Sequence, residues 1–460
     1  MRHRTASVIA LAFATAMSTG AHAVDLVDVW RAALDHDAEF AAARAARAEG
    51  EARRTQAGTL WRPSVALEVG AGIATNETAV RGARFSAPGF GQTTGVAFDT
   101  SVTNGSSGRV ALALRQPLVS REREVQQRQL EISAEVADAQ WQDAQQSLVL
   151  RSAERYFDAA LAAEQLRLLS RQQTAVDKAY VEAKDRFRIG DRPITDTHEA
   201  GARAAGLEAQ RLAAETELEL KKAALADVSG LTIGADALPL PAPGREAEAL
   251  DSLQVWLDRA ASGSLMLRMA EAHVRSAEQE ARKTDAALSP SLDLVAQLGR
   301  ERLSGSGDFG SASNQTNNHA IGLQLSVPLY TGGMRSAQQT EAKARLGKAI
   351  AELEGARRQV ALQTRGAWLE LSAGGSRTAA LRAALAASTA RLDATRVGLS
   401  AGDRTTLDVL NAENDLTAAE VALLQARTRL LLGGLRLAML AGQLDEARLR
   451  QANALLQPSH

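Results

Sequence analysis

The sequence runs through the same order of segments twice, and this internal repeat constrains its fold more than any other feature. Each half contains an alanine-rich helical stretch, alternating strands, a proline, a long helical run and a turn. Pro117 precedes the turn glycine Gly190 by 73 positions, and Pro328 precedes Gly402 by 74. Matching lengths predict matching structural parts in the two halves.

The two halves meet at a proline-containing stretch, which we interpret as a linker. The predicted organisation is a signal peptide at 1–23, a first repeat at 24–230, a linker at 231–246, a second repeat at 247–442 and a C-terminal tail at 443–460. After an opening helix, each repeat is expected to contain strands (about 64–74 and 108–116, or about 291–300 and 319–328) and a helical hairpin (118–228 or 334–440).

The first residues have the features of an export signal. Arg2 and Arg4 form a basic start, Val8–Met17 is apolar, and Ala21-His22-Ala23 is an A-x-A cleavage site, so the mature chain is expected to begin near Val24. No later stretch reaches the ~18 continuous apolar residues that a transmembrane helix requires. If the protein spans a membrane, we therefore expect it to use strands.

Composition excludes several classes of site. The chain has no cysteine, which excludes disulfides, thiolate metal ligands and a lipid attached through cysteine. Its formal charge is −1, and removal of the two signal arginines takes it to about −3, so no basic surface for nucleic acid is expected. We find no catalytic, cofactor or metal motif; the G-x-G-x-x-G match at Gly305–Gly310 lies in a polar stretch without a βαβ unit. The sequence does not predict an enzyme.

The predicted strands alternate apolar and small or polar residues with a period of two. Val65, Leu67 and Val69 share one face, and comparable runs of about 9 to 11 residues are what a tilted membrane strand needs. The stretches between them, Asn76–Gly108 and Ser304–Asn318, are rich in Gly, Ser, Thr and Asn and are predicted as loops. A soluble β-sandwich is the alternative interpretation of the strands alone.

A long helical run follows the strands in each half. No glycine or proline occurs from Leu118 to Ile189, and one helix of this length would extend ~105 Å. After the turn at Gly190 a second helical pattern runs back toward Leu225, which predicts an antiparallel hairpin, and the second half repeats it through Gly402.

Four strands cannot close a barrel, and an open edge in lipid leaves backbone groups unpaired at several kcal/mol each. Strands must therefore come from several copies. Two copies give eight strands and a filled interior, whereas three give twelve and leave a channel, so we predict a channel-forming homotrimer. The strand-to-helix transitions are assigned to Pro63, Pro117, Pro290, Pro328, Gly332 and Gly333.

These residues carry a resemblance to a known family. With "VPLYTGG" at 327–333, "AGDRTTLDVLNAENDL" at 401–416, the repeated half and the helix before "LSPSL" at 288–292, the sequence resembles the TolC-type outer-membrane factors over essentially all of the mature chain. The opening Asp25–Ala45 is most similar to members that serve type I secretion.

The resemblance implies a mixed α and β membrane protein. Three chains would form a 12-stranded outer-membrane β-barrel that continues into a long periplasmic α-helical barrel. It implies a passive duct that works with a periplasmic adaptor protein and an inner-membrane transporter, driven by ATP or by protons. An efflux channel for drugs is the alternative cargo class, and a periplasmic adaptor is the alternative protein class, although an adaptor would need only one hairpin.

The resemblance also implies sites at the helix turns. The periplasmic entrance gate would be formed by Asp408, Asn411, Arg404 and Asp196, with Asn411 standing where the family has a second acid. The adaptor would contact Gly190, Asp191, Arg192, Gly402 and Asp403. Thr405-x-x-Asp408 also fits a capping box, so the carboxylate has a structural interpretation beside the functional one.

Overall fold

The computed structural model describes residues 24–89, 91–232, 234, 238–242, 250–286, 289–308, 310–330 and 332–456. The predicted signal peptide and part of the predicted linker lie outside the described residues. The chain divides into two compact units. The first, called the helical unit below, comprises Met1–Ala46, Ala139–Arg268 and Ala356–His460; the second, called the sheet unit, comprises Arg47–Asp138 and Met269–Gly355.

The sheet unit contains four antiparallel strands in the order β1-β2-β3-β4. They span β1 Ser64–Ala87, β2 Gly91–Val119, β3 Ser291–Gly307 and β4 Gly310–Ser326. Leu67 of β1 lies opposite Leu112 of β2, which in turn lies opposite Leu298 of β3. All three side chains are exposed, so one face of the sheet is a continuous apolar surface.

The strands are much longer than the sequence predicted. The supposed loops at 76–108 and 304–318 are largely paired strand, for example Thr78 with Thr100 and Arg302 with Gln315. The prediction of loops there is wrong, because it rested on polar composition, whereas ladder hydrogen bonds use backbone groups that every residue except proline provides. Register shifts near Asn76 and Ala83 interrupt the pairing without ending it.

Nine helices occur in the described residues. They are α1 Leu26–His36, α2 Ala38–Thr59, α3 Arg121–Arg188, α4 Ile194–Ser229, α5 Leu253–Gly263, α6 Leu265–Ala286, α7 Met334–Ala401, α8 Thr406–Leu440 and α9 Glu446–Asn453. None of the helices in the described part of the chain is long and apolar enough to cross a membrane.

The single opening helix predicted for each half is in fact two helices. Asp37 and Ser264 interrupt them with extended backbone, ψ 120° and 123°, and the Asp37 carboxylate accepts a hydrogen bond from the Phe40 N–H at 2.7 Å. Short polar side chains favour such breaks because they satisfy the free N–H groups of the next helix. Alanine content alone did not reveal them.

The long helices of the helical unit form two antiparallel hairpins, α3 with α4 and α7 with α8. Thr197 of α4 donates to the Ala183 carbonyl of α3, and farther along Lys221 of α4 pairs with Asp158 of α3. In the other hairpin, Leu430 of α8 lies against Gly374 of α7. α8 also pairs with α3, through Arg436 and Glu154 at 3.0 Å and through Gln172 and Asn414 at 3.3 Å.

The core of the helical unit joins α1 to α9, which lie at opposite ends of the described part of the chain. Leu26 and Val29 of α1 pack with the fully buried Tyr156 and Phe157 of α3 and with Leu449 of α9. α9 lies in the predicted C-terminal tail, and its Asn453 donates to Asp25 at 2.8 Å and accepts from the Leu26 N–H at 3.1 Å. The tail is therefore a structural part of the unit.

Candidate functional site

Both helix turns of the helical unit end their first helix in the same way. Gly190 and Gly402 have left-handed backbone, φ +78° and +84°. The next residue in each turn donates its N–H to a carbonyl five positions back: Asp191 to Arg186 and Asp403 to Gly398, both at 2.9 Å. This is the Schellman arrangement, in which glycine avoids the steric penalty of positive φ. The two turns therefore share one stop signal.

The helices that follow the turns begin differently. Thr405 caps α8: its Oγ1 accepts from the Asp408 N–H at 3.1 Å, while the Asp408 carboxylate accepts from the Thr405 N–H at 2.9 Å. Pro193 occupies the cap of α4 and makes no side-chain bond. The capping-box prediction is confirmed for the second turn, and the first turn has no equivalent.

The capping box also sets the ionisation of Asp408. The Thr405 N–H, followed by the Thr405 hydroxyl, stabilises the carboxylate and lowers the pKa of Asp408 below its usual value; Arg404 and Arg391 add smaller effects of the same sign. Both Thr405 bonds end on Oδ2. The lowered pKa keeps the carboxylate ionised at neutral pH. Oδ1 accepts no hydrogen bond from the described residues, which leaves this oxygen available to a cation.

Arg404 folds back over the end of α7. A Cβ built on Gly398 would lie 2.7 Å from Cγ of Arg404, so a side chain at position 398 would displace it. The backbone of Gly398 is helical, so an unusual φ does not require glycine here. The close approach of the Arg404 side chain does. No ion pair fixes the Arg404 guanidinium within the described residues, which leaves its charge at the exposed turn.

The other predicted gate residues lie near these turns without meeting. Asp196 is in the first turn of α4, partly exposed, and Asn411 is exposed on α8. No hydrogen bond or ion pair joins Asp196 to Arg404 or Asp408 in the part of the chain that the structure describes. Leu410, next to Asn411, forms a buried cluster with Val176 and Leu207. Helices α3, α4 and α8 therefore meet close to the predicted gate.

Sequence reasoning missed the contacts that join the two helices of each hairpin near its tip. Arg396 of α7 pairs with Glu413 of α8 at 2.9 Å, and Arg391 pairs with Asp415 at 2.5 Å. In the first hairpin the ring of Tyr180 instead lies against Gly201. Arginines before the Gly402 turn and acids after it were the available signal for the ion pairs, because an antiparallel hairpin brings residues at roughly similar distances from its turn close together.

The predicted transition residues lie in the sheet unit. Pro63 and Pro290 immediately precede β1 and β3, so they mark helix-to-strand transitions, contrary to the predicted direction. Pro117 lies inside β2, next to a register shift before Val119, where the missing N–H of proline costs least. Pro328 follows β4. Gly332 and Gly333 have φ +64° and +84° just before α7.

No group of three or more His, Asp or Glu side chains in the described residues could hold a metal ion.

The chain matches known proteins along most of its length. The family profile "Outer membrane efflux protein" matches residues 29–231 and 256–443. "Proteases secretion protein PrtF" of Dickeya chrysanthemi is 30% identical over 449 residues, which cover 95% of this chain and 92% of that protein. "Alkaline protease secretion protein AprF" of Pseudomonas aeruginosa is 29% identical, covering 74% and 70%. "Outer membrane protein TolC" of Vibrio cholerae is 29% identical, covering 71% and 75%.

Solved structures agree with the fold. The outer-membrane channel OprN superposes with a TM-score of 0.71 at 20% identity, covering 91% of this chain and 90% of that chain. The outer membrane protein VceC of Vibrio cholerae gives 0.68 at 21% identity, covering 91% and 96%. At this identity the likeness shows the fold alone.

Proposed function

Because the chain belongs to the outer membrane efflux protein family, we propose that it is the outer-membrane channel-tunnel of a tripartite export system, passively conducting substrates across the periplasm and outer membrane. The observation that carries this proposal is the family match over both halves of the chain. Its location is the outer membrane of a Gram-negative bacterium, extending into the periplasm. The duct would perform no chemistry on its cargo.

We propose that three copies form the channel. The sheet has two open edges, β1 and β4, and a continuous exposed apolar face suited to lipid contact. Three such sheets would join edge to edge into a 12-stranded barrel in which every strand is paired. The two halves would be structural repeats, which the equal lengths of α3 and α7, 68 residues each, support.

Type I protein secretion is the proposed role. The two relatives PrtF and AprF are named for protease secretion, and PrtF matches along nearly the full chain. The partners would be an inner-membrane ABC transporter and a periplasmic adaptor that contacts Gly190, Asp191, Arg192, Gly402 and Asp403. A drug-efflux duct served by a proton-driven transporter is the second candidate, favoured by the similarity to proteins named for efflux, such as "Outer membrane efflux protein BepC" of Brucella suis.

Secretion in a defined strain separates these roles. The chain would be expressed in a bacterium lacking its own duct, together with a protease-exporting ABC transporter and its adaptor. We expect protease in the medium only when all three are present. Protease retained in the cells while drug resistance returns would favour the efflux role, and failure of both would contradict the export duct.

The gate is proposed to lie at the second turn. In a trimer, three ionised Asp408 carboxylates would face a common axis and attract cations, with Arg404, Asn411 and Asp196 around them. Asp408→Ala is expected to weaken block by trivalent cations in planar-bilayer recordings, whereas Asp403→Ala, a turn residue outside the ring, should leave block unchanged. Equal block in the wild type and Asp408→Ala would remove Asp408 from the gate.

A further inference from the structure

All four strands of the sheet unit join helices at the same end of the sheet. Helices α2 and α6 lead into β1 and β3, whereas β2 and β4 lead into α3 and α7. The turn between β1 and β2 and the turn between β3 and β4 therefore lie at the opposite end, called the hairpin end below. Under the proposed function the helices lie in the periplasm, so the hairpin end lies at the cell surface.

On one face of β3 and β4, called the outer face below, apolar pairs give way to polar pairs within one step. The two strands keep a continuous register from Ser291 to Gly307, so alternate residues of each strand share a face. Leu298 belongs to this face and to the continuous apolar surface described above. Counted toward the hairpin end, the facing pairs are Leu292 with Leu325, Leu294 with Leu323, Ala296 with Ile321, Leu298 with His319, Arg300 with Asn317 and Arg302 with Gln315.

The two arginines lie where a membrane strand leaves the hydrocarbon. A tilted strand needs about 9 to 11 residues to cross it. Counted from Leu292, the first apolar residue of β3, this length ends between Arg300 and Arg302. Because the count starts at the end that joins the helices, both arginines lie at the cell-surface boundary of the apolar surface, at the level of the lipid headgroups of the outer leaflet.

No acid neutralises these arginines on the outer face. Arg300 donates from Nε to Oδ1 of Asn317 at 3.0 Å, a bond that orients the guanidinium and leaves its charge in place. Across β2, Arg300 and Arg302 lie opposite Val110 and Gly108. Neither arginine forms an ion pair with the described residues. The outer face therefore carries two uncompensated positive charges in each chain.

The other face of the same sheet balances its charge at this height. Arg109 of β2 lies directly across from Glu301 of β3, and both are exposed. Arg300 and Arg302 flank Glu301 in the chain and point to the opposite face. Since the chain supplies a carboxylate on one face only, the negative charge that complements Arg300 and Arg302 must come from outside the chain.

The surface beside Arg302 has room for a headgroup. Gly108 lies opposite Arg302, and a Cβ built on it would meet open space. Ala71 of β1 lies opposite Gly108 and continues the row with another small side chain. The two guanidiniums therefore border a shallow recess on the outer face. A guanidinium donates two parallel hydrogen bonds to a phosphate group, which a shallow recess of this kind would admit.

We propose that Arg300 and Arg302 bind the phosphate groups of lipopolysaccharide, the phosphorylated glycolipid of the outer leaflet. This binding site rests on the proposed function, because it requires the outer face to contact the outer membrane. The phosphates of lipid A, the lipid part of lipopolysaccharide, lie between its acyl chains and its outer sugars, at the level assigned to the arginines. Basic residues at the edge of an apolar surface recognise anionic headgroups in this way.

Lipid titration followed by native mass spectrometry tests the site. The full chain would be purified in detergent and titrated with diphosphoryl lipid A, or with lipid A from which both phosphates have been removed. We expect the wild type to bind the diphosphoryl lipid at least about tenfold more tightly. The double variant Arg300→Gln with Arg302→Gln should lose this preference. Arg109→Gln, which removes an arginine from the opposite face at the same height, should keep it.

Three outcomes would overturn the site and leave the export duct intact. The first is equal binding of the two lipids by the wild-type trimer, a comparison that needs no variant. The second is an equal loss of preference in Arg109→Gln, which would show a general effect of positive charge. The third is equally tight binding of phosphatidylglycerol, which would show attraction of any anionic lipid. A monomer that stays in water without detergent would instead contradict the proposed function itself.

Discussion

The two helix turns of the helical unit have the same sequence at their centre and diverge after it. Gly-Asp-Arg occurs in both, and both glycines adopt positive φ with the same hydrogen bond behind them. The next residue is Pro193 in one turn and Thr405 in the other, and only the threonine builds a capping box. The signal that stops a helix is thus shared, while the start of the next helix differs between the halves.

The hairpins also differ in what holds their tips. Two ion pairs join α7 to α8: Arg391 with Asp415, and Arg396 with Glu413. Near the first turn the ion pairs of α3 stay within that helix, and α4 is joined to α3 by packing of Tyr180 on Gly201 and by the hydrogen bond from Thr197 to the Ala183 carbonyl. Among the described residues, only the second tip therefore combines an ionised capping acid, an arginine without an ion pair and ion pairs between its helices, which makes it the better candidate for a gate.

Replacing the turn glycines should have the largest effect. Gly190→Val and Gly402→Val each force a branched residue into left-handed backbone, at a cost of at least roughly 1–2 kcal/mol. We expect each substitution to lower the hydrogen-exchange protection of its own turn by about 5- to 30-fold. Gly355→Ala, in the exposed helical part of α7, is the control and should not reduce protection. If only one of the two variants lost much protection at its own turn, the two turns would not share one stop signal.

Removing the cap should affect one turn only. Thr405→Ala leaves the first N–H groups of α8 without their acceptor, which costs about 1 kcal/mol. Exchange protection of the Asp408 amide should fall about fivefold. Pro193→Ala at the equivalent position removes no side-chain bond, so α4 should lose no comparable protection; similar losses at both helices would contradict the distinction.

Salt should separate the hairpins. At 1 M salt the Debye length falls to ~3 Å, and exposed ion pairs worth up to about 1 kcal/mol are screened. In high salt, amide hydrogen exchange should accelerate more in the tip of the α7–α8 hairpin than in the tip of the α3–α4 hairpin. Arg396→Gln should reduce this difference between the two tips, because it removes one of the ion pairs. Equal responses in the two tips would show that the ion pairs do not hold the second one.

Acidification should have a smaller effect, confined to the second turn. The pKa of Asp408 is lower in the folded chain than in the unfolded one. The stability that the ionised carboxylate gives to the turn is therefore complete above the pKa of the unfolded chain, about 3.9, and is lost as pH falls through the folded pKa. Protection factors for Thr405 to Asp408, corrected for intrinsic exchange, should therefore fall below about pH 4. The Asp408→Asn variant should show no such fall.

Local signals in the sequence predicted the turns well. Glycine at the end of a helical pattern and Thr-x-x-Asp at the start of another act within a few residues, so Gly402 and the Thr405 capping box could be identified without tertiary information. The break at Asp37 uses equally local chemistry, the hydrogen bond from the Phe40 N–H to its carboxylate, but alanine-rich flanks obscured it.

Features that depend on distant residues were not predicted. The polar halves of β1 and β2 form strand because each finds a partner across the hairpin, which composition does not reveal. α9 is ordered by α1, more than 400 positions away, through Asn453 and Asp25. The Arg396–Glu413 pair likewise depends on two helices having a common register.

We expect three chains to form one barrel wall, since a four-stranded sheet cannot pair its own two edges in a membrane. Native mass spectrometry of the protein released from detergent micelles counts the chains directly. The expected result is a single species of three chains. A folded species of one chain, stable in water without detergent, would contradict it.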